Sequence, residues 1–268
     1  MKTQLKLFQV DAFATQIFRG NPAAVCPLEA WLPDNVMQAA AEENNLSETA
    51  FFVPCTDGAH DYHIRWFTPL DEVDLCGHAT LAAAHIIFSK LGFAQNTIRF
   101  KSRSGLLAVE KHSELLALNF PAWTLEKVTS HEALARALNV EPAEVYKSHD
   151  WLVVLETEKD VLQLTPDFHA LKNIDGRGVI VTAPGQDEAT DFVSRAFFPK
   201  LRIDEDPVTG SAHCALVPYW AKRLGKSEFK ARQVSRRIGE LECALLTGGR
   251  VRIAGEARLY LEGVYDLP

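Results

Sequence analysis

Two segments of this 268-residue chain combine a glycine with side chains that can donate or accept protons. Cys76-Gly77-His78 and Thr209-Gly210-Ser211 each stand directly before an apolar stretch that predicts a buried helix. The first free N–H groups of a helix point outward and carry a partial positive charge, so they bind carboxylates and developing oxyanions. Both segments therefore predict a site for a small anionic molecule.

A third segment with chemical potential is Ser47-Glu48-Thr49, which precedes a predicted strand. Removing a proton from a carbon next to an unsaturated acid needs a base of near-neutral pKa, and a buried carboxylate can provide one. By residue type alone, Glu48 is more simply a surface or capping carboxylate. His78 could be a helix-end histidine bonded to backbone or a proton relay. Asp206 could cap the turn before Thr209, a role that is compatible with catalysis.

The elements that must position these residues occur twice along the chain. Only two copies of a long unit are present, which indicates two similar lobes rather than a solenoid, with the cleft between them as the natural ligand site. The sequence predicts a first lobe over 1–123, which the C-terminal tail could complete, and a second over 124–268. Three pairs of motifs recur at an offset of 130 or 133 residues: Pro33-Asp34 and Pro166-Asp167, Asp61-Tyr62-x-x-Arg65-x-Phe67 and Asp191-Phe192-x-x-Arg195-x-Phe197, Gly77-x-Ala79 and Gly210-x-Ala212.

The predicted fold class is α/β, of the α+β type. Apolar residues alternate with polar ones over 62–66, which is typical of a half-buried strand. The segment 79–91 has almost no polar face and predicts an enclosed helix. Asp34 is expected to cap a further helix. Arg65 and Arg195 are expected to form structural pairs on the sheets. Each lobe is thus predicted to be a curled, mostly antiparallel sheet around one buried helix.

Composition excludes several classes of function. The formal charge of −7 and a pI near 5.7 disfavour nucleic-acid binding, and no apolar run approaches the ~18 residues that span a bilayer. Five scattered cysteines do not make a disulfide framework, so a reducing cytoplasm is predicted. No Gly-x-Gly-x-x-Gly, Walker or Cys-x-x-Cys motif is present, and His60 and His63 are too isolated for a metal site. Neither a cofactor nor a metal is predicted.

Four ordered motifs resemble the phenazine-biosynthesis PhzF-like family, which shares the diaminopimelate-epimerase fold. The resemblance implies a homodimer of two-lobed chains and a cofactor-independent isomerase that acts on a small carboxylated substrate. The family's best-known substrate is a dihydro-hydroxyanthranilate, but nothing in the sequence fixes that ring. The motifs are Gly20-Asn21-Pro22-Ala23-Ala24-Val25, Asn45-Leu46-Ser47-Glu48-Thr49-Ala50-Phe51, Cys76-Gly77-His78-Ala79-Thr80 and Asp206-Pro207-Val208-Thr209-Gly210-Ser211-Ala212.

The resemblance also implies roles for individual residues. By motif position, Glu48 is the acid/base residue, with His78 and Asp206 beside it. The remaining residues are implied to bind the substrate through side chains or backbone: Asn21, Ser47, Cys76, Gly77, Gly210 and Ser211.

Cys76 keeps a second chemistry open. Racemases of the same fold place a cysteine before glycine in each lobe, but here Cys76-Gly77 has the counterpart Thr209-Gly210. A symmetric two-thiol mechanism is therefore not expected. A helix N-terminus can activate a thiol, so a Cys76-dependent amino-acid epimerase or dehydratase remains an alternative, as does an inert buried cysteine. A non-catalytic protein that binds small acids is the third hypothesis.

Overall fold

The computed structural model describes residues 3–129 and 131–267, without the side chain of Thr3. These residues divide into two compact units. Unit 1 holds the described residues up to 119 and from 254 onward, and unit 2 holds those from 120 to 253. The division that the sequence suggests, 1–123 and 124–268, stays a prediction. None of the helices in the described part of the chain combines the length and apolar character needed to cross a bilayer.

The elements that begin in unit 1, apart from the last strand, are β1 (Thr3–Ala12), β2 (Asn21–Pro27), α1 (Asp34–Asn44), β3 (Glu48–Pro54), β4 (Tyr62–Phe67), β5 (Glu72–Val73), α2 (Gly77–Lys90), β6 (Thr97–Ser102), β7 (Gly105–His112) and β8 (Leu115–Pro121). Those that begin in unit 2 are β9 (Glu126–Val128), α3 (Glu132–Leu138), β10 (Glu144–Lys147), β11 (Trp151–Val154), α4 (Glu158–Gln163), α5 (Phe168–Lys172), β12 (Val179–Pro184), β13 (Phe192–Phe198), β14 (Ile203–Asp206), α6 (His213–Leu224), β15 (Glu228–Gln233), β16 (Gly239–Leu246) and β17 (Arg250–Gly255). The last strand, β18 (Ala257–Leu267), lies in unit 1.

The two units share one pattern of strand pairing. In unit 1, β2 is parallel to β3, β3 is antiparallel to β4, and β4 is parallel to β6. In unit 2, β11 is parallel to β12, β12 is antiparallel to β13, and β13 is parallel to β15. A parallel pair needs a crossover connection, and α2 and α6 lie within the last crossover of each series. The repeat in the sequence is therefore a repeat of the fold.

Helix α2 is buried on nearly every side, as its lack of a polar face predicts. Its residues 79–84, together with Ile86 and Ile87, are all buried. The helix packs against β1, β2 and β3, and β1 in turn lies antiparallel to both β2 and β18. An enclosed helix of this kind has a fixed N-terminus, because sliding it would expose apolar side chains to water.

The two repeated arginines make equivalent structural pairs. Arg65 on β4 donates two hydrogen bonds to Glu72, both of 2.7 Å. Arg195 on β13 donates two to Glu205, of 2.7 and 2.9 Å. Such two-point pairs have a rigid geometry, and they confirm the expectation that both arginines are structural.

Asp34 does not cap a helix, so that expectation is wrong. Helix α1 already includes Asp34, and its N-cap is Pro33, without a capping hydrogen bond from a side chain. The Asp34 carboxylate instead accepts a hydrogen bond of 2.9 Å from Arg65, which also lowers the pKa of that carboxyl. The Asp34 carboxylate therefore forms an ion pair with a residue distant in sequence, in place of a local capping interaction.

The helix expected to begin at Gly210 also starts differently. Gly210–Ala212 forms one turn of 3-10 helix, and the α-helix begins at His213. The carbonyl oxygen of Thr209 accepts a hydrogen bond from the amide of Ala212 (3.2 Å) and another from the ring Nδ1 of His213 (3.0 Å). The bond between the Ala212 amide and the Thr209 carbonyl spans three residues instead of four, which is typical of 3-10 turns at helix ends.

Candidate active site

Three chain segments of unit 1 bring polar side chains to one place. Asn21 is the first residue of β2 and Glu48 the first of β3. These strands are parallel, with Ala23 opposite Glu48, so their first residues lie at the same sheet edge. The N-terminus of α2 supplies Cys76, in the extended N-cap position, and His78 in the first turn.

His78 is the centre of this group. Its Nε2 lies 3.1 Å from the Glu48 carboxylate, and its Nδ1 lies 3.5 Å from the Cys76 sulfur and 3.3 Å from the Asn21 side-chain amide nitrogen. Ser47 donates a hydrogen bond of 3.3 Å to the side-chain oxygen of Asn21. The group is well shielded, since His78 and Cys76 are each 6% exposed and the Glu48 side chain 13%.

The contacts on Nδ1 favour one tautomer of the imidazole. The Asn21 amide nitrogen can only donate, and Ser47 holds that amide in place through its oxygen. The Cys76 thiol can donate to the same ring nitrogen. Nδ1 therefore acts as the acceptor, and the neutral ring of His78 carries its proton on Nε2, the atom that faces Glu48.

The contact between His78 and Glu48 leaves hydrogen-bonding capacity unused. The two atoms are close enough for an ion pair, yet neither Glu48 Oε2 nor His78 Nε2 makes a hydrogen bond of good geometry, and both are buried. A buried polar atom without such a bond costs about 1–3 kcal/mol. In a folded protein, groups of this kind often mark a functional site.

The electrostatics distinguish the thiol from the imidazole. Burial raises the pKa of Cys76, and the Glu48 charge raises it further. Burial lowers the pKa of His78, but the neighbouring Cys76 and Glu48 outweigh it and raise the pKa well above the usual value. The donors on Nδ1 favour the neutral ring while Glu48 favours the charged one. Glu48 thus favours a protonated His78, and burial favours the thiol form of Cys76.

The carbonyl before each repeated glycine is fixed in the same way. Thr80 donates a hydrogen bond of 2.5 Å from its hydroxyl to the carbonyl oxygen of Cys76. At the equivalent position in unit 2, the ring Nδ1 of His213 donates one of 3.0 Å to the carbonyl of Thr209. Both bonds run from residue i to residue i−4. They fix the orientation of the peptide group that precedes Gly77 in unit 1 and Gly210 in unit 2.

In unit 2, the loop that contains Asp206 is tied to the end of β15. Asp206 accepts a hydrogen bond of 2.5 Å from the Thr209 hydroxyl. The fully buried Gln233 donates to the Asp206 carbonyl (2.8 Å) and to the Thr209 hydroxyl (3.2 Å), and accepts from the Thr209 amide (2.8 Å). Ser235 donates to the carbonyl of Pro207 (2.8 Å). The loop is therefore held at both ends.

The predicted site residues fall into one group per unit. Unit 1 brings together Asn21, Ser47, Glu48, Cys76 and His78, with Gly77 beside them. Unit 2 contains Asp206, Gly210 and Ser211. Their roles in binding and catalysis remain predictions. Sequence reasoning missed Gln233 and Ser235, because no motif marks them and only the fold brings them to the Asp206 loop.

The chemistry of the two repeats is unequal. Thr49, which follows Glu48, pairs with Phe67, and Val179, which follows Gly178, pairs with Phe197. Because Phe67 and Phe197 are equivalent in the repeat, the strand register aligns Glu48 with Gly178. A Cβ atom at Gly178 would lie 2.1 Å from a ring carbon of Phe198, so no side chain fits there. Cys76-Gly77-His78 aligns with Thr209-Gly210-Ser211. Unit 2 thus has neither a carboxylate nor an imidazole at these aligned positions.

Three side chains of the unit 1 group could also serve as metal ligands. One ligand atom each of Glu48, Cys76 and His78 lies within 4.8 Å of the others. The sequence-based view that no metal site exists considered only neighbouring histidines. It did not consider Glu48, Cys76 and His78 together as ligands.

Comparison with known proteins agrees with this architecture. The family model for "Phenazine biosynthesis-like protein" matches residues 10–263. A protein from Pseudomonas aeruginosa named as an uncharacterised isomerase is 53% identical over 264 residues, which cover 98% of this chain and 100% of that protein. A crystal structure of a PhzF-family protein from Enterococcus faecalis has a TM-score of 0.95 and 50% identity, and covers 99% of this chain and 100% of that one.

A more distant likeness bears on the fold alone. A hydroxyproline epimerase from Agrobacterium vitis has a TM-score of 0.63 at 11% identity, over 98% of this chain and 93% of that one. The predicted α+β fold of the epimerase type is therefore confirmed. With a family model that spans almost the whole chain and relatives above 50% identity, the chain belongs to the phenazine biosynthesis-like family of PhzF-type isomerases.

Proposed function

We propose that this protein is a cofactor-independent isomerase that moves a proton between two carbons of a small carboxylated, unsaturated substrate, with Glu48 as the acid/base residue. The observation that supports this most directly is the buried contact between Glu48 and His78, in which an oxygen and a nitrogen both lack a well-formed hydrogen bond. The two atoms face each other at 3.1 Å and form the acid/base pair of the proposed site.

In the proposed reaction, Glu48 takes a proton from one carbon, and the C–H electron pair enters the adjacent unsaturated system. The protonated carboxyl then delivers that proton to a second carbon, so the substrate gains and loses nothing overall. His78 stabilises the carboxylate through the proton on its Nε2 and can exchange that proton with it. A positioned acid or base of this type contributes about 10²- to 10⁴-fold to a rate.

The N-terminus of α2 is the proposed anchor for the substrate carboxylate. The side chain of Cys76, the N-cap residue, makes no capping hydrogen bond, and the amides of Gly77 and His78 belong to the first turn. Such amides and the helix dipole favour a negative charge. Asp206 is proposed to assist in catalysis, and Gly210 and Ser211 are proposed to assist in binding. A homodimer in the cytoplasm remains our expectation.

The test is hydrogen–deuterium exchange at substrate carbon. Small unsaturated acids and amino acids are incubated with the protein in heavy water, and exchange of C–H is followed by NMR. An isomerase exchanges such a hydrogen, whereas a protein that only binds acids does not. Glu48→Gln should abolish the exchange, while the matched variant Glu43→Gln, at an exposed position on α1, should keep it. A Glu48→Gln protein that exchanges at the parent rate would refute the proposed role.

A second candidate is an epimerase or dehydratase that uses Cys76. It is favoured by the 3.5 Å contact between the Cys76 sulfur and Nδ1 of His78, through which the imidazole could accept the thiol proton. It is disfavoured by burial, which raises the pKa of that thiol. Cys76→Ala separates the two candidates, because only the thiol mechanism requires the sulfur.

A further inference from the structure

The group around His78 contains the donor set of a metal site. Among residues 3–129 and 131–267, Glu48, Cys76 and His78 are the one group of three His, Cys, Asp or Glu residues whose ligand atoms lie within 4.8 Å of one another. Thiolate, imidazole and carboxylate are all ligands of zinc, and three protein ligands leave a fourth position for water. The thiolate directs such a site toward thiophilic cations and away from magnesium or calcium.

The ligand atoms are spaced somewhat more widely than around a bound ion. Zinc bonds of about 2.0–2.3 Å in a tetrahedral arrangement place ligand atoms roughly 3.3–3.6 Å apart. The Cys76 sulfur is already 3.5 Å from Nδ1 of His78, and the Glu48 oxygen is 3.1 Å from Nε2. These two distances involve different ring nitrogens, and only one of these nitrogens can bind a given ion. The ligand atoms that could share one ion lie within 4.8 Å of one another, so they must draw closer together for the ion to bind.

A second observation points to a ligand at this place. Glu48 Oε2 and His78 Nε2 are both buried without a well-formed hydrogen bond, and His78 itself is only 6% exposed. Ionised Cys76 and Glu48 together carry two negative charges, which one divalent cation balances. Binding releases the thiol proton to solvent, as metal binding to cysteine does in general.

We propose that this protein binds a thiophilic divalent cation, Zn²⁺ in particular, at Glu48, Cys76 and His78, and that the ion inhibits it. The ion occupies the carboxylate that acts as the base in the proposed reaction. Occupancy of the site and turnover therefore exclude each other. Metal binding itself does not depend on the proposed function and can be measured on the whole protein without a substrate.

The probe is Co²⁺, whose bond to a thiolate gives a charge-transfer absorption band in the near ultraviolet. The intact protein, free of added thiols, is titrated with Co²⁺ and then with Zn²⁺, which should remove the band. Cys76→Ser should abolish the band. His78→Gln and Glu48→Gln should weaken binding by at least about tenfold, since even the loss of a residue that only hydrogen-bonds to a metal ligand lowers metal affinity by about that factor. Cys55→Ser, which alters a partly exposed cysteine, is the matched control and should keep the band.

Several outcomes would overturn the proposal. They are the absence of a thiolate band in the parent, its survival in Cys76→Ser, or its loss in Cys55→Ser. Melting curves of every variant show whether a lost band reflects unfolding, and Cys76→Ala serves as the second test if the serine variant is unstable. If Co²⁺ binds through Cys76 but Glu48→Gln binds equally well, Glu48 is not a ligand and the proposed three-residue site is wrong.

Discussion

Replacing Gln233 by methionine should destabilise unit 2 by about 4 kcal/mol. Gln233 is fully buried and makes three hydrogen bonds to the loop that carries Asp206 and Thr209. At roughly 1 kcal/mol each, these bonds contribute about 3 kcal/mol. The Thr209 amide would in addition lose its partner in a buried place, which costs about 1 kcal/mol or more. Methionine has nearly the same volume, so no cavity adds to the loss.

The assay is unfolding by urea, followed by tryptophan fluorescence. Tryptophans Trp151 and Trp220 are buried in unit 2 and report on its unfolding. The matched control is Gln4→Met on β1, because Gln4 is exposed and donates a single hydrogen bond to Asp266. We expect the control to change stability by less than about 0.5 kcal/mol. A loss below about 1 kcal/mol for Gln233→Met would show that these hydrogen bonds do not hold the loop.

Three further predictions concern single residues. Glu48→Gln should reduce substrate C–H exchange by about 10²- to 10⁴-fold while its melting temperature stays near the parent's, and unchanged exchange would contradict this. Cys76→Ala should keep most of the exchange rate, and a loss of about three decades would instead favour the thiol mechanism. Burial lowers the pKa of His213 to about 4. The neutral ring therefore stabilises the fold above pH ~6.5, and about 3 kcal/mol of this is lost as the pH falls to ~4. His213→Gln should flatten that part of the pH–stability curve, and an unchanged curve would refute the assignment.

The sequence predicted those features that depend on pattern. The motifs around Arg65 and Arg195 recur in one register, and each arginine makes the same two-point pair in the structure. The apolar run that begins at Ala79 became a helix that is buried through Ile87, because it has almost no polar face, and its last residues are exposed. An internal repeat and a hydrophobic period can both be seen in a single sequence, and both reflect how the whole chain folds.

The features that sequence reasoning missed depend on distant partners. Asp34 was expected to cap a helix, but Arg65, 31 residues away, binds its carboxylate instead. Gln233 carries no motif, and its function in holding the Asp206 loop follows from strand β15 ending beside that loop. The contact between Glu48 and His78 was implied by the family resemblance alone, because it needs the register of parallel strands, which local propensities do not determine.

The close packing of Gly178 on Phe198 leaves the second repeat without a counterpart of Glu48. The position aligned with Glu48 cannot hold a side chain, so the second repeat cannot supply a matching carboxylate from that strand. A lone base returns a proton to the same face of the substrate from which it took it. If Glu48 serves as the base in both steps, the proton shift is suprafacial, and part of an isotopic label on the first carbon travels to the second within one turnover. An enzyme with a base on each side inverts its substrate instead, and exchanges the label with solvent.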